Sequence, residues 1–269
     1  MVRRMSTPAT AEAVTLEVED GIARLTLNRP DVMNALDGEM GAALRRHAES
    51  LVGRDDVRVV LIASTGRMFC AGGKLDYVLG ADDSGAAMQT LATDFHAAQQ
   101  ALASIDAPVV TVVQGTAAGG GFGLAISGDI VLAATSAKLT LAYTKAGLTP
   151  DGGATWLLTR IVGLRKATEL TLLNTVLSAQ DAADIGLVTR VVADDELAAA
   201  AEEVATQLAA GPLEAHGRAR RLLQTALQHT LQEQLDAEAA SIGAQAGGPE
   251  GQEGMKAFLD RRAPNFAGA

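Results

Sequence analysis

The chain has 269 residues, 48% of them hydrophobic, and a formal net charge of -10. That length can bury one large core or two small ones, and an acidic surface repels nucleic-acid phosphates, so no nucleic-acid partner is expected. Cys70 is the only cysteine, which excludes an intramolecular disulfide and a thiolate metal cage and suits a reducing, cytoplasmic setting.

Residues 1–12 open with Met-Val-Arg-Arg, but no apolar stretch follows, so they read as a flexible tail rather than a signal. No apolar run reaches membrane-spanning length, and no membrane partner is expected. Val14 to Val18 and Ile22 to Leu27 alternate in polarity around Glu19-Asp20-Gly21, a hairpin pattern. Asn28-Arg29-Pro30 ends the second strand, and Leu36 to Leu51 has helical apolar spacing. Val57 to Ala63 is a continuous apolar strand, followed by the loop Cys70-Ala71-Gly72-Gly73-Lys74. Met88 to Ile105 predicts a helix and Pro108 to Val113 another buried strand. Gly115 to Gly123 then leads into an apolar segment ending at Ile126, with strands at Ile130 to Ala134 and Lys138 to Leu141. The recurring order of strand, strand, glycine turn and helix predicts an α/β layered core. Gly152 to Ile161 and Leu164 to Leu173 read as helices. Ser178 to Asp181 caps a short helix that Gly186 stops, and Leu187 to Val192 is a last strand. From Asp195 onward the chain is helix former, broken at Gly211-Pro212 and Gly247-Gly248-Pro249. Its amphipathic faces (Leu222, Leu223, Ala226, Leu227) call for a partner surface.

Two glycine-bearing turns follow buried strands, at Ala71 to Gly73 and Gly119 to Gly121. Glycine lets a ligand approach the peptide N–H, and amides at a helix start have no partner within the helix. Two such amides aimed at one point would stabilise an oxyanion. Neither turn has phosphate-loop or dinucleotide-fingerprint spacing.

Taken together the motifs resemble the crotonase superfamily, the enoyl-CoA hydratases and isomerases. They are Leu27-Asn28-Arg29-Pro30 with Asn34-Ala35-Leu36, Phe69 to Gly73, Gly115 to Gly121, Gly147 to Asp151, Ile161-Val162-Gly163, Ala182 to Val188 and Met255 to Phe258. The resemblance implies a spiral of ββα units in 13–195 carrying an acyl-CoA site, and a C-terminal helical region, 196–269, used for trimerisation. It implies an acyl-CoA thioester substrate, a homotrimer or dimer of trimers, and no metal and no cofactor beyond the coenzyme A of the substrate. By position it assigns the oxyanion donors to the Ala71 and Gly120 amides. Ala71, Gly72, Gly73 and Lys74 would line the coenzyme A path, with Lys256 near the nucleotide.

The hydratase branch uses two glutamates, and at their positions this chain has Gly123 and Tyr143. Asp151 instead stands where isomerases of the dienoyl-CoA and ring-epoxide type carry an aspartate. A single carboxylate suffices to take a proton from one carbon and return it to another. Asp151 could also serve as the N-cap of the helix predicted at Gly152. Tyr143 would shape the acyl pocket or donate a hydrogen bond. His96 has a spacing like that of the benzoyl-CoA dehalogenase histidine, giving a hydrolase-like alternative in which it works with Asp151. Hydration without the glutamate pair, and acyl-CoA binding without catalysis, are further alternatives. The acyl group itself depends on side chains between Lys74 and Ala101 and between Leu141 and Trp156.

Overall fold

The computed structural model describes residues 12–268. The predicted tail, 1–12, lies outside these residues except for Glu12, whose carboxylate meets Arg46 and His47. The hairpin forms as expected, β1 (Val14–Glu19) against β2 (Ile22–Leu27). Asp20 and Gly21 take up the positive φ of its turn. Helix α1 (Gly38–Ser50) begins at Asp37, which accepts the Met40 amide.

Three ββ pairs follow, and each sends one strand to each of two sheets. They are β3 (Val59–Ser64) with β4 (Met68–Cys70), β5 (Val109–Val113) with β6 (Thr116–Ala118), and β7 (Ile130–Ala134) with β8 (Lys138–Thr140). The first pair is followed by α2 (Leu75–Leu79) and α3 (Ser84–Ser104), the second by α4 (Gly120–Ala125), the third by α5 (Ala154–Leu173). Next come β9 (Leu177–Ser178), α6 (Ala179–Asp184) and β10 (Arg190–Val192). The larger sheet runs β1-β2-β3-β5-β7-β10 and is parallel apart from the opening hairpin. The smaller runs β4-β6-β8-β9. This is the expected α/β spiral of ββα units, and its central strands are mainly apolar, with Thr111 the buried exception in β5, because both faces are covered.

The short strands β4 and β6 were not predicted. They are three residues each and lie next to the glycine turns, too brief for any periodicity to show. Helix α3 starts at Ser84, four residues before the predicted Met88, because Asp83 caps it through the Ala86 amide. The two helices predicted around Gly163 are found as α5, in which Gly163 is non-helical at φ 76°.

The C-terminal part consists of α7 (Leu197–Ala209), α8 (Leu213–Thr225), α9 (Leu231–Gly247) and α10 (Pro249–Asp260). Helix α7 buries Leu197, Ala201, Val204 and Ala205 in the main core. Helices α8 to α10 pack largely on one another and leave Leu223, Leu227, Leu231, Phe258 and Leu259 exposed. Among the described residues no helix is long and apolar enough to cross a membrane.

Candidate active site

The site begins with the loop between β2 and α1. Asn34 is fully buried at a left-handed φ of 51°. Its Nδ2 donates to the Thr65 and Met68 carbonyls at 2.8 and 3.1 Å, and its Oδ1 accepts the Arg29 amide at 2.8 Å. A buried amide satisfied on both ends fixes the loop around it. That loop holds the first glycine turn: the Leu36 amide donates to the Gly72 carbonyl at 2.7 Å, and the Lys74 amide donates to the Leu36 carbonyl at 2.8 Å.

The same loop overturns the assignment of Ala71 as an oxyanion donor. The Ala71 amide already donates to the Met33 carbonyl at 3.1 Å. Among the described residues the Gly73 amide, two positions on, has no protein acceptor, and the same holds for Gly120 at the first position of α4. The two turns abut. A Cβ on Gly72, whose φ is +89°, would stand 2.7 Å from the Ala118 carbonyl oxygen and 3.3 Å from the Gly120 nitrogen. Spacing could not separate Ala71 from Gly73, since which amide is left unpaired depends on a carbonyl 38 residues earlier (71 minus 33).

Ala71, Gly73 and Gly120 line one cavity of about 700 Å³, together with Tyr143 and Asp151. Its remaining wall is mainly apolar, from α2 and α3 (Leu75, Val78, Met88, Leu91, Phe95) and from Leu141 to Leu148. These are the two stretches from which the acyl pocket was expected. Gly72 and Lys74 do not line it: Gly72 packs behind the turn, and Lys74 Nζ lies 3.9 Å from Asp37. Lys256 is exposed on α10 and is likewise absent from the wall.

Among the described residues Asp151 is the sole carboxylate in that wall. It is not a helix cap: α5 starts at Ala154 with Gly153 as its N-cap and no side-chain cap bond. Gly152 and Gly153 both have positive φ, 60° and 70°, so the chain turns before the helix starts and frees the carboxylate. Tyr143 Oη donates to Asp151 Oδ1 at 2.5 Å. Burial first, and the adjacent carboxylate second, push the phenol pKa far up, so Tyr143 remains a donor. At Gly123 a Cβ would stand 2.7 Å from the Gly152 carbonyl oxygen. The 151–153 turn therefore occupies the room into which a side chain at 123 would project.

His96 Nε2 accepts the Gly152 amide at 2.9 Å and lies 3.6 Å from Asp151 Oδ2. The ring does not line the cavity. Cys70 is fully buried, its sulfur accepts the Gly72 amide, and burial pushes its thiol up to about 12. It is no nucleophile at neutral pH.

The enoyl-CoA hydratase/isomerase family profile matches residues 17–269. The 1,2-epoxyphenylacetyl-CoA isomerase of Escherichia coli (strain K12) is 38% identical over 262 residues, covering 96% of this chain and 99% of that protein. The 4-chlorobenzoyl coenzyme A dehalogenase-1 of an Arthrobacter species is 29% identical over 250 residues, covering 92% and 91%. Among solved structures, an enoyl-CoA hydratase from Polaromonas sp. JS666 superimposes with a TM-score of 0.88 at 32% identity, covering 94% of this chain and 98% of that one.

Proposed function

We propose, from the premise that the chain belongs to the enoyl-CoA hydratase/isomerase (crotonase) family and acts on coenzyme A thioesters, that it is an isomerase with Asp151 as its acid/base. The observation that carries the reading is a cavity in which, among the described residues, Asp151 is the lone carboxylate and the Gly73 and Gly120 amides are unpaired. The thioester oxygen lies between those amides. Asp151 Oδ2, the oxygen not held by Tyr143, removes a proton beside the thioester carbonyl. The electron pair moves onto the carbonyl oxygen, where the two N–H groups stabilise it, each donor contributing roughly 3 kcal/mol in the transition state. Asp151 then returns the proton to a different carbon. The arrangement serves a double-bond or a ring-epoxide substrate, and the net change is redox-neutral and draws on no cofactor beyond coenzyme A.

The lack of both hydratase glutamates, with Gly123 packed against Gly152, supports isomerisation over hydration. A hydrolase-like reaction pairing His96 with Asp151 has less support, because the ring nitrogen nearest the carboxylate is already occupied by the Gly152 amide. The exposed apolar side chains of α8 to α10 support assembly into trimers or dimers of trimers. A coenzyme A thioester substrate and a single reduced, buried thiol suit the cytoplasm.

The test is a panel of enoyl- and epoxyacyl-CoA thioesters in deuterated water, read by mass spectrometry and NMR. Isomerisation with deuterium entering the α or γ carbon is expected. Addition of water, or release of free coenzyme A, without isomerised product overturns the proposal.

A further inference from the structure

We infer that His96 is a positioning residue: its unprotonated Nε2 holds the Gly152 amide and so aims the Asp151 carboxylate into the cavity. The inference takes the acid/base role of Asp151 from the isomerase reading above. Its own ground is the geometry of the turn.

Residues 152 and 153 are consecutive left-handed glycines. Such a turn has many alternatives open to it, since glycine gives up more backbone freedom on ordering than any other residue. Something outside the turn must select one conformation, and α3 supplies it. Gly152 lies against the Phe95 ring, and a Cβ on Gly153 would stand 2.9 Å from Gln99 Oε1. Between these two packing contacts, His96 makes a directional bond from α3 to the turn, at 2.9 Å from the Gly152 nitrogen.

That bond also fixes the state of the ring. A nitrogen that accepts an amide proton carries none itself, so the proton of a neutral imidazole must be on Nδ1. Asp151 Oδ2, at 3.6 Å from the same Nε2, is beyond hydrogen-bond distance and is left free for substrate. The carboxylate is therefore located from two sides, by Tyr143 at Oδ1 and by His96 through the neighbouring peptide. Because the ring lies outside the cavity wall, His96 acts through Asp151 and not on the acyl group.

Two substitutions at this 44% exposed side chain separate the roles. Glutamine reaches far enough to place a carbonyl oxygen where Nε2 stands, whereas leucine fills the space without an acceptor. His96→Leu is expected to lower kcat about 10- to 100-fold with KM changed by about twofold at most, since a misplaced reacting group costs rate rather than binding. His96→Gln is expected to retain kcat within about threefold. Equal, large losses in both variants would mean that the imidazole itself moves a proton, and would overturn the inference. Two wild-type-like variants would make the ring a bystander and would overturn it equally. Nitrogen-15 NMR of the ring needs no turnover: Nε2 should appear unprotonated and Nδ1 protonated. An Nε2-protonated tautomer defeats the inference even in an active isomerase. The expected tautomer in a protein that isomerises no thioester would leave the positioning bond intact and remove only the reading of Asp151.

Discussion

The two walls of the cavity are built on different principles. The wall proposed to hold the oxyanion is main chain: the Gly73 and Gly120 amides, carried by turns after β4 and β6 and locked by Asn34, Met33 and Leu36. Its donors are peptide N–H groups rather than side chains. The other wall is side chain on a turn: Asp151, held by Tyr143, with His96 bonded to the neighbouring Gly152 amide. A backbone wall resists substitution at most positions, because nearly any residue provides an N–H, and fails only where a Cβ cannot fit. A side-chain wall can be exchanged residue by residue while the oxyanion machinery stays in place. Proteins named as isomerase, dehalogenase and hydratase are each similar to more than nine-tenths of this chain, which fits such a division.

The contrast can be broken from either side, and removing the carboxylate should have the largest effect. Asp151→Asn keeps the shape and the Tyr143 contact but cannot take a proton. It should lower kcat about 10²- to 10⁴-fold with substrate affinity retained, as measured by steady-state kinetics and calorimetric binding of a saturated thioester. Turnover close to wild type would move the acid/base role elsewhere.

The backbone wall should fail at Gly72. Alanine there meets the Ala118 carbonyl at 2.7 Å and must adopt a φ of +89°. Displacing the turn costs one oxyanion donor, so Gly72→Ala should lower kcat about 10²- to 10³-fold. Ala71→Gly keeps its amide bond to Met33 and should stay within about threefold of wild type, which separates a donor position from its neighbour. An Ala71→Gly defect as large as that of Gly72→Ala would restore Ala71 to the oxyanion hole.

A smaller effect is expected at Tyr143. Tyr143→Phe removes a hydrogen bond to a charged oxygen and frees Asp151 to rotate, so kcat should drop about 10-fold, corresponding to about 1.4 kcal/mol. An unchanged rate would show that His96 and the turn suffice to hold the carboxylate. Least of all should be seen at Cys70. With its thiol pushed up to about 12 by burial, it should resist alkylation at pH 8 in the folded protein and react only on denaturation. Between the ordinary thiol range and about 12 the unfolded chain loses this proton and the folded chain keeps it, so stability falls as pH rises through that window. Cys70→Ala should lessen the decline seen by urea unfolding at pH 8 and pH 10.

Much of this could be read from the chain alone. Short β-branched runs such as Val109–Val113 favour a strand covered on both faces, and the repeated strand-strand-helix order pointed to a layered α/β core. The glycine turns and the aspartate after Pro150 were likewise visible, because each residue type there carries its chemistry with it. What needed the tertiary structure was pairing between distant segments. Ala71 and Gly73 look equivalent until the Met33 carbonyl takes one of the two amides. Asp151 can also be read as a helix cap until two left-handed glycines postpone the helix to Ala154. His96 read only as a candidate partner of Asp151 until the fold set α3 against the turn and gave its ring the Gly152 amide, 56 residues along the chain. Local sequence sets which groups can donate or accept, but long-range packing decides which are already satisfied, and the groups left unsatisfied are those available to a substrate.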